Sequence, residues 1–478
     1  MSMRDAAAQP VFEADRLLER LAFFLFVGVI AWAPFPLGSN RPWAWSLLAL
    51  LVTAAWVLWY CSVWSKPQTV RRLSHRLLGP LVLALLALGW GIVQVVPLIP
   101  AHWAHPIWRV AAGIIGNTSP TISVSPWRTE TELMKLAVYA MAAWLARAFA
   151  GDPKKAGQLI DAVICIGAIY AVYGFALILV GQSQFQVFYE MPLGQTTDLS
   201  GPFVNRNSFA TYEGLVALCA VARLVSATWN DARGRTQWLS VPRYIFGRGA
   251  LWLVAVLLAY SVVLSTGSRG GNLATWIGTI VLLIFGLRMT VRLKRGWLWV
   301  ALVSAALAVA IALFEVSGGA LASRLSEIAA NGTSETTRRL LWNDAIAMIY
   351  AEPFTGWGLG TYQIVYPLFS KVSMPFIMDK AHNDYLELAA GWGLPATLAW
   401  WGAFVWLVAI CWRGFFYRRH DRVYPALAVA ASILVAIHSL FDFSLQMPAI
   451  SLTYAAILGV GIAQAFRSHH PTAQGSKG

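Results

Sequence analysis

Charge is what this sequence has least of. Only 12% of its 478 residues are charged, against 58% hydrophobic. A soluble domain carries about 25% charged residues, so a water-soluble globule is excluded. Cysteine is scarce as well. Cys61, Cys165, Cys219 and Cys411 each fall within or at the end of an apolar stretch, with no CxxC pair, which argues against a disulfide framework or a zinc site. No Asp-x-Asp pair occurs, so a divalent-metal clamp on a nucleotide sugar has no obvious ligands. A Walker-type Gly-x-x-x-x-Gly-Lys loop is absent too, which argues against ATP hydrolysis. There is no Gly-x-Ser-x-Gly nucleophile elbow either.

What the chain does have is long apolar runs. A span needs about 20 apolar residues. Stretches of that kind lie near 20–37, 43–64, 77–97, 131–150, 157–181, 207–228, 249–266, 271–287, 297–315, 386–411, 424–441 and 447–466. The expectation is an all-α polytopic membrane protein of about twelve transmembrane helices. The first run lacks a small-residue cleavage site and reads as a retained span. Tryptophan is abundant at 24, as expected where indoles sit at bilayer interfaces. The net charge of +14 does not point to nucleic acid, because the basic residues cluster in short segments between apolar runs. With the N-terminus inside, every inner loop is basic. Two long segments, about 98–130 and about 316–385, then face outward. In the short outer loops only Arg41, Arg206 and Arg269 break the positive-inside pattern.

The outer segment 316–385 has its own order. Residues 336–350 read as an amphipathic helix with Leu341, Trp342, Ala345, Ile346 and Ile349 on one face, and with Arg338 and Arg339 in its first turn. Glu352-Pro353 stops it, and Gly356-Trp-Gly-Leu-Gly-Thr361 forms a tight, flexible turn. Such a segment suits a lid over the mouth of the bundle. Beyond it, Asp384 followed by Glu387 reads as a capping-box-like helix start. The tail 467–478 reads as disordered and cytoplasmic.

Four features converge on the outer face. Arg206, in Asn205-Arg-Asn207, and Arg269, in Ser268-Arg-Gly-Gly, each open an outside-to-inside span. A helix N-terminus favours anions, and a guanidinium fork matches phosphate oxygens. His382 precedes a third such span, and His is the side chain poised to move a proton near neutral pH. Asp442 sits at the outer end of the eleventh span. For any single arginine, snorkelling to headgroups is the simpler account. Two at equivalent helix starts beside a histidine favour a site for a pyrophosphate. With no ATP loop, the energy for a reaction outside the membrane has to come from the substrate itself.

Arg339-Leu-Leu-Trp-Asn-Asp-Ala, Pro353-Phe-Thr-Gly-Trp-Gly-Leu-Gly-Thr and Ala381-His-Asn-Asp-Tyr-Leu-Glu-Leu-Ala-Ala-Gly-Trp-Gly, with Asn205-Arg-Asn and Ser268-Arg-Gly, resemble the O-antigen ligase/O-antigen polymerase superfamily. The likeness is strongest over about 200–450, which frames residues 201–466 as a ligase-like domain after N-terminal helices in 1–200. The resemblance implies a GT-C-like helical enzyme of the bacterial inner membrane that uses no metal or other cofactor. It would transfer a glycan from undecaprenyl pyrophosphate, with inversion, to an acceptor hydroxyl on the periplasmic side. The acceptor would be lipid A core for a ligase and growing polysaccharide for a polymerase. By similarity, His382 matches the catalytic base and Asp442 a functional acid. Arg206 and Arg269 match pyrophosphate-binding positions, with Arg338 or Arg339 as helpers. Asn205, Asn207, Asn383 and Asp384 are supporting positions, and Asp384 or Asp442 would orient the histidine. A protein-glycosylating relative is disfavoured by the short tail, and a transporter or flippase is the reading from a different class.

Overall fold

The computed structural model describes residues 3–97, 100, 102–179, 199–231, 249–290, 334–371, 378–418 and 420–466. Among these there are helices and no strands. The longer helices, in chain order, are α1 (Met3–Trp32), α2 (Pro42–Val63), α3 (Pro67–His75), α4 (Leu78–Val95), α5 (Ile107–Ile115), α6 (Pro126–Phe149), α7 (Pro153–Leu179), α8 (Arg206–Asp231), α9 (Ala250–Ser265), α10 (Arg269–Thr290), α11 (Ser334–Ala351), α12 (Tyr362–Val365), α13 (Asp384–Trp392), α14 (Leu394–Tyr417), α15 (Val423–His438) and α16 (Pro448–Ala465). Proline opens α2, α3, α6, α7 and α16, where its missing N–H costs nothing.

Seven of these helices are long and apolar enough to cross a membrane: α2, α4, α7, α8, α10, α14 and α16, with α9 and α15 shorter but apolar. This is an integral membrane protein by that measure, with fewer demonstrable spans than the expected twelve. The stretch 131–150 lies within α6, whose first half carries Arg128, Glu130, Glu132 and Lys135. The first run ends at Trp32, five residues before its expected limit. The run 297–315 and the tail 467–478 lie outside the described residues. The expected tenth span, 386–411, is two helices. Gly393, at φ +77°, breaks the run, and the apolar helix begins at Leu394.

Small residues set the register at the centre of the bundle. A Cβ on Gly271 would lie 2.5 Å from that of Ala210, and one on Gly214 would lie 2.3 Å from Thr275 Oγ1. One on Gly278 would meet Leu218 Cδ1 at 3.2 Å. The partners climb both helices together, so α8 and α10 run parallel with their first turns side by side. Close backbone approach of this kind is how helices associate where lipid removes the hydrophobic drive between them. Antiparallel α15 fills the groove: Ala430 O and Leu434 flank the Gly278 position, and His438 flanks Gly270.

At one end of the bundle, α11 and residues 352–371 and 378–392 form a second layer around Leu341, Ala345, Met348, Trp357, Tyr362 and Tyr366. The buried face of α11 is Leu341, Ala345 and Met348. Ile346, expected on that face, is exposed. The helix begins at Ser334, so Arg338 and Arg339 stand in its second turn and not its first. The glycine-rich turn is not flexible. Trp357 N–H donates to Ala390 O at 3.0 Å, Gly358 N–H to Gly391 O at 2.9 Å, and Leu394 N–H to Pro353 O at 2.8 Å. Gln94 Nε2 donates to Thr355 O and Gly391 O. These bonds make the layer a fixed platform against α4 and α13.

Gly393 is where this platform is most constrained. A Cβ there would lie 2.3 Å from Phe354 O, on a backbone at positive φ. Gly393→Ala is therefore expected to cost about 1–3 kcal/mol through overpacking and backbone strain. Gly89→Ala, with nothing within 4 Å of its Cβ, leaves stability unchanged or slightly raised. Thermal unfolding of both variants in detergent checks the pair.

Candidate active site

The segment Lys380–Asn383 leads into α13. The N-cap of α13 is Asn383, whose Oδ1 accepts from Tyr385 N–H and Leu386 N–H at 3.0 Å each. This corrects the reading of Asp384 and Glu387 as the capping pair, because the helix starts at Asp384 itself. Glu387 instead reaches back to Ala381 N–H at 2.9 Å and to Lys380 Nζ at 3.2 Å. Lys380 also donates to Gln446. Burial alone would lower the Lys380 ammonium, but Glu387, Glu132 and Asp379 outweigh it and hold it above its ordinary value.

Asp384 is buried and does not touch His382. Its Oδ2 accepts from Ser439 Oγ at 2.7 Å and Leu445 N–H at 3.3 Å, and its Oδ1 accepts from Gln446 Nε2 at 2.9 Å. Its own N–H donates to Ser439 O at 3.0 Å. The start of α13 and the turn 439–446 are thus one unit. Burial pushes the Asp384 carboxyl up to about 7, against the Ser439 and Gln446 hydrogen bonds that favour its ionised form.

Clasping the turn brings Asp442 to His382. His382 Nδ1 and Asp442 Oδ1 are 3.2 Å apart, and the His382 ring meets Phe443 edge-on at 5.0 Å. Of the two acids weighed for orienting this histidine, Asp442 is the one in contact. Asp442 Oδ1 also accepts from Phe443 N–H at 2.8 Å. Burial would raise this carboxyl, but the His382 hydrogen bond and the nearby imidazoles of His438 and His382 outweigh it, so it sits below the usual carboxylate range. His382 itself has φ +52°, an uncommon left-handed conformation for a non-glycine residue. Trp342 of α11 donates to its carbonyl at 3.4 Å. The His382 side chain is 29% exposed against 3% for Asp442, so the ring reaches the surface while its partner does not.

The arginines come to the same end of the bundle through His438. Its Nδ1 lies 2.7 Å from Ser444 Oγ and 3.1 Å from Thr211 Oγ1. Its carbonyl accepts from Asp442 N–H at 3.0 Å. Thr211 is in the second turn of α8, which Arg206 opens. Gly270, against His438, is in the first turn of α10, which Arg269 opens. Asn205 caps α8 through Ser208 N–H at 2.8 Å, and Ser268 caps α10 through Gly271 N–H at 3.2 Å. Asn207 contributes its carbonyl to Thr211 Oγ1 at 3.0 Å. Arg338 is half-buried and its charge reaches His438, whereas Arg339 is exposed. From the sequence Trp342 stood only as part of an apolar helix face, and His438, Thr211 and Ser444 were not singled out. The spacing of His438 and Asp442, one helical turn, was the available signal. Among the described residues no three His, Cys, Asp or Glu side chains gather as a metal site.

Residues 253–401 match the family model described as Wzy_C, O-antigen ligase. The match covers Arg269, Arg338, Arg339 and His382–Asp384 but neither Arg206 nor Asp442, and spans less than half of the chain. No curated protein matches the chain.

The raised Asp384 carboxyl makes stability depend on pH. The fold holds its proton more tightly than the unfolded chain does. Its contribution is therefore full below the unfolded value of about 4 and is lost as pH rises through about 7. Stability of the native chain is expected to fall across that window. Asp384→Asn should remove the slope, by an amount on the order of a kcal/mol per pH unit at most. Thermal unfolding of both proteins from pH 4 to 8 measures it.

Proposed function

We propose, from the match of residues 253–401 to the O-antigen ligase family model, that the chain is an O-antigen ligase-type glycan transferase. The donor is a glycan on undecaprenyl pyrophosphate, the acceptor is a hydroxyl of lipid A core, and the reaction occurs at the periplasmic face of the inner membrane. The observation that carries this reading is the pairing of buried Asp442 with His382 Nδ1, at the end of the bundle where two parallel helices begin with Arg206 and Arg269.

The chemistry follows from that pairing. Asp442 holds the proton on Nδ1 and leaves the Nε2 lone pair for the acceptor. Nε2 takes the hydroxyl proton as the acceptor oxygen bonds to the anomeric carbon. The bond from that carbon to the phosphate oxygen breaks, and displacement inverts the configuration. The pyrophosphate leaves as an anion, and Arg206, Arg269 and the N–H groups of their helix starts stabilise the charge it gains. Arg338 adds positive charge from α11.

A transporter would use ionisable groups at mid-depth. Glu213, two turns into α8 and fully buried with neither oxygen partnered among the described residues, is such a group, so the two readings need an experiment to separate them. The protein in nanodiscs is given the lipid-linked oligosaccharide with and without lipid A core. A single shifted product that requires lipid A core is expected. A ladder without that acceptor would mean a polymerase. No transfer, from substrates that another enzyme uses, would turn the reading to transport. His382→Ala is expected to lower transfer by ~10² or more with the fold intact, and undiminished transfer would remove His382 from the mechanism. Arg206→Ala and Arg269→Ala should each weaken donor binding by about tenfold or more, the scale of one charge-assisted contact, read as a rise in KM for the donor.

A further inference from the structure

The opposite end of the bundle carries a second constellation. α6 runs unbroken from Glu132 to Arg147, about 22 Å along the axis. A cavity of about 220 Å³ follows it, bounded near Asp384, Glu132 and Gln446 at one end and by Arg147 at the other. Between those ends its walls are apolar, with Leu136, Ala143, Phe404, Leu407 and Leu458 among them. At Arg147 it meets a wider cavity of about 920 Å³. That chamber is basic, with Arg16, Lys66, Arg76, Arg147 and Arg418 on its walls.

The cations of this chamber are not equally satisfied. Its two acids are already paired, Asp15 with Lys66 at 3.0 Å and Glu19 with Lys155 at 2.5 Å. Arg418 donates to the carbonyls of Gln464 and Phe466, at 2.8 and 2.7 Å. Arg147 is different. It is 4% exposed, and its Nε and Nη1 meet no hydrogen-bond partner. Among the described residues no carboxylate pairs with Arg147 or with Arg76. Both guanidinium groups lie over the Phe466 ring, at 6.0 and 4.9 Å from its centre. A buried guanidinium with no counter-charge is costly, and two on one ring define a place for a shared anion.

We propose that this chamber binds the headgroup of an anionic phospholipid. The phosphodiester bridges Arg147 and Arg76, and one acyl chain runs from Arg147 into the apolar cavity beside α6. A free phosphate would satisfy the arginines and leave the apolar walls without a partner. A zwitterionic lipid would fill the walls but bring its own cation to a basic chamber. The donor's pyrophosphate is assigned to the other end of the bundle, so this is a separate site. Basic pockets between membrane helices are suited to such headgroups.

The test uses the purified full chain in detergent, stripped of lipid. Phosphatidylglycerol, phosphatidylcholine or inorganic phosphate is then titrated in and followed by native mass spectrometry and thermal unfolding. Phosphatidylglycerol is expected to bind at low stoichiometry and raise the melting temperature, while the other two do neither. Arg147→Gln should weaken phosphatidylglycerol by about tenfold or more, the worth of one charge-assisted contact. Arg76→Gln, at an exposed position, does the same without disturbing the buried side and serves if the Arg147 variant folds poorly. Equal binding of phosphatidylcholine, a full shift from inorganic phosphate alone, or unchanged phosphatidylglycerol affinity in Arg76→Gln would each overturn the proposal.

Discussion

The buried carboxylate of Asp384 holds the candidate site together. It draws in Ser439, Leu445 and Gln446 while its own N–H bonds back to Ser439. It joins the segment carrying His382 to the turn carrying Asp442, beside the bonds from Lys380 to Gln446 and from Asn383 Nδ2 to Leu440 O. Joined in this way they are one unit, and the contact between His382 and Asp442 follows from geometry. The cost is a carboxyl buried almost completely. Three converging donors offset part of that cost, as buried acids require.

The second constraint is the close approach of α8 and α10. Gly271 against Ala210 and Gly214 against Thr275 leave no room for a larger side chain. The two helices therefore begin at one level, and their opening residues, Arg206 and Arg269, begin there with them. Two helix N-termini pointing the same way add their partial positive charges to those of the guanidinium groups. Antiparallel α15 completes the arrangement by bringing His438, and Asp442 one turn beyond, to the same end. The small residues in the opening turns of these helices are thus what sets Arg206 and Arg269 side by side.

Much of this was legible in the sequence where periodicity and chemistry agree. Long apolar runs marked α2, α7, α8, α10 and α16 because lipid demands such runs. Arg206 and Arg269 stood out because each broke the charge pattern at a helix start. What the sequence hid was tertiary. Asp384 and Glu387 have the spacing of a cap, yet Asn383 caps the helix, because Asp384 bonds Ser439 far along the chain and Glu387 reaches back past the helix start to Lys380 and Ala381. Gly393 sits in an apolar run that continues past it, and only the contact with Phe354 O explains the break there. The glycines at 356–360 look flexible by composition, whereas the amides of Trp357 and Gly358 bond to Ala390 and Gly391 at the end of α13. Ile346 fits the apolar period of its helix and still faces outward, since Met348 takes the buried position.

The central claim is that Arg206 and Arg269 hold one and the same pyrophosphate. The most direct measurement is a binding titration of undecaprenyl pyrophosphate to the protein in nanodiscs, with Arg206→Ala, Arg269→Ala and the double variant. If both arginines grip one group, their effects are coupled and the double variant loses less than the two single losses multiplied together. Independent, multiplicative losses, or a single variant that binds as tightly as the native chain, would contradict the account.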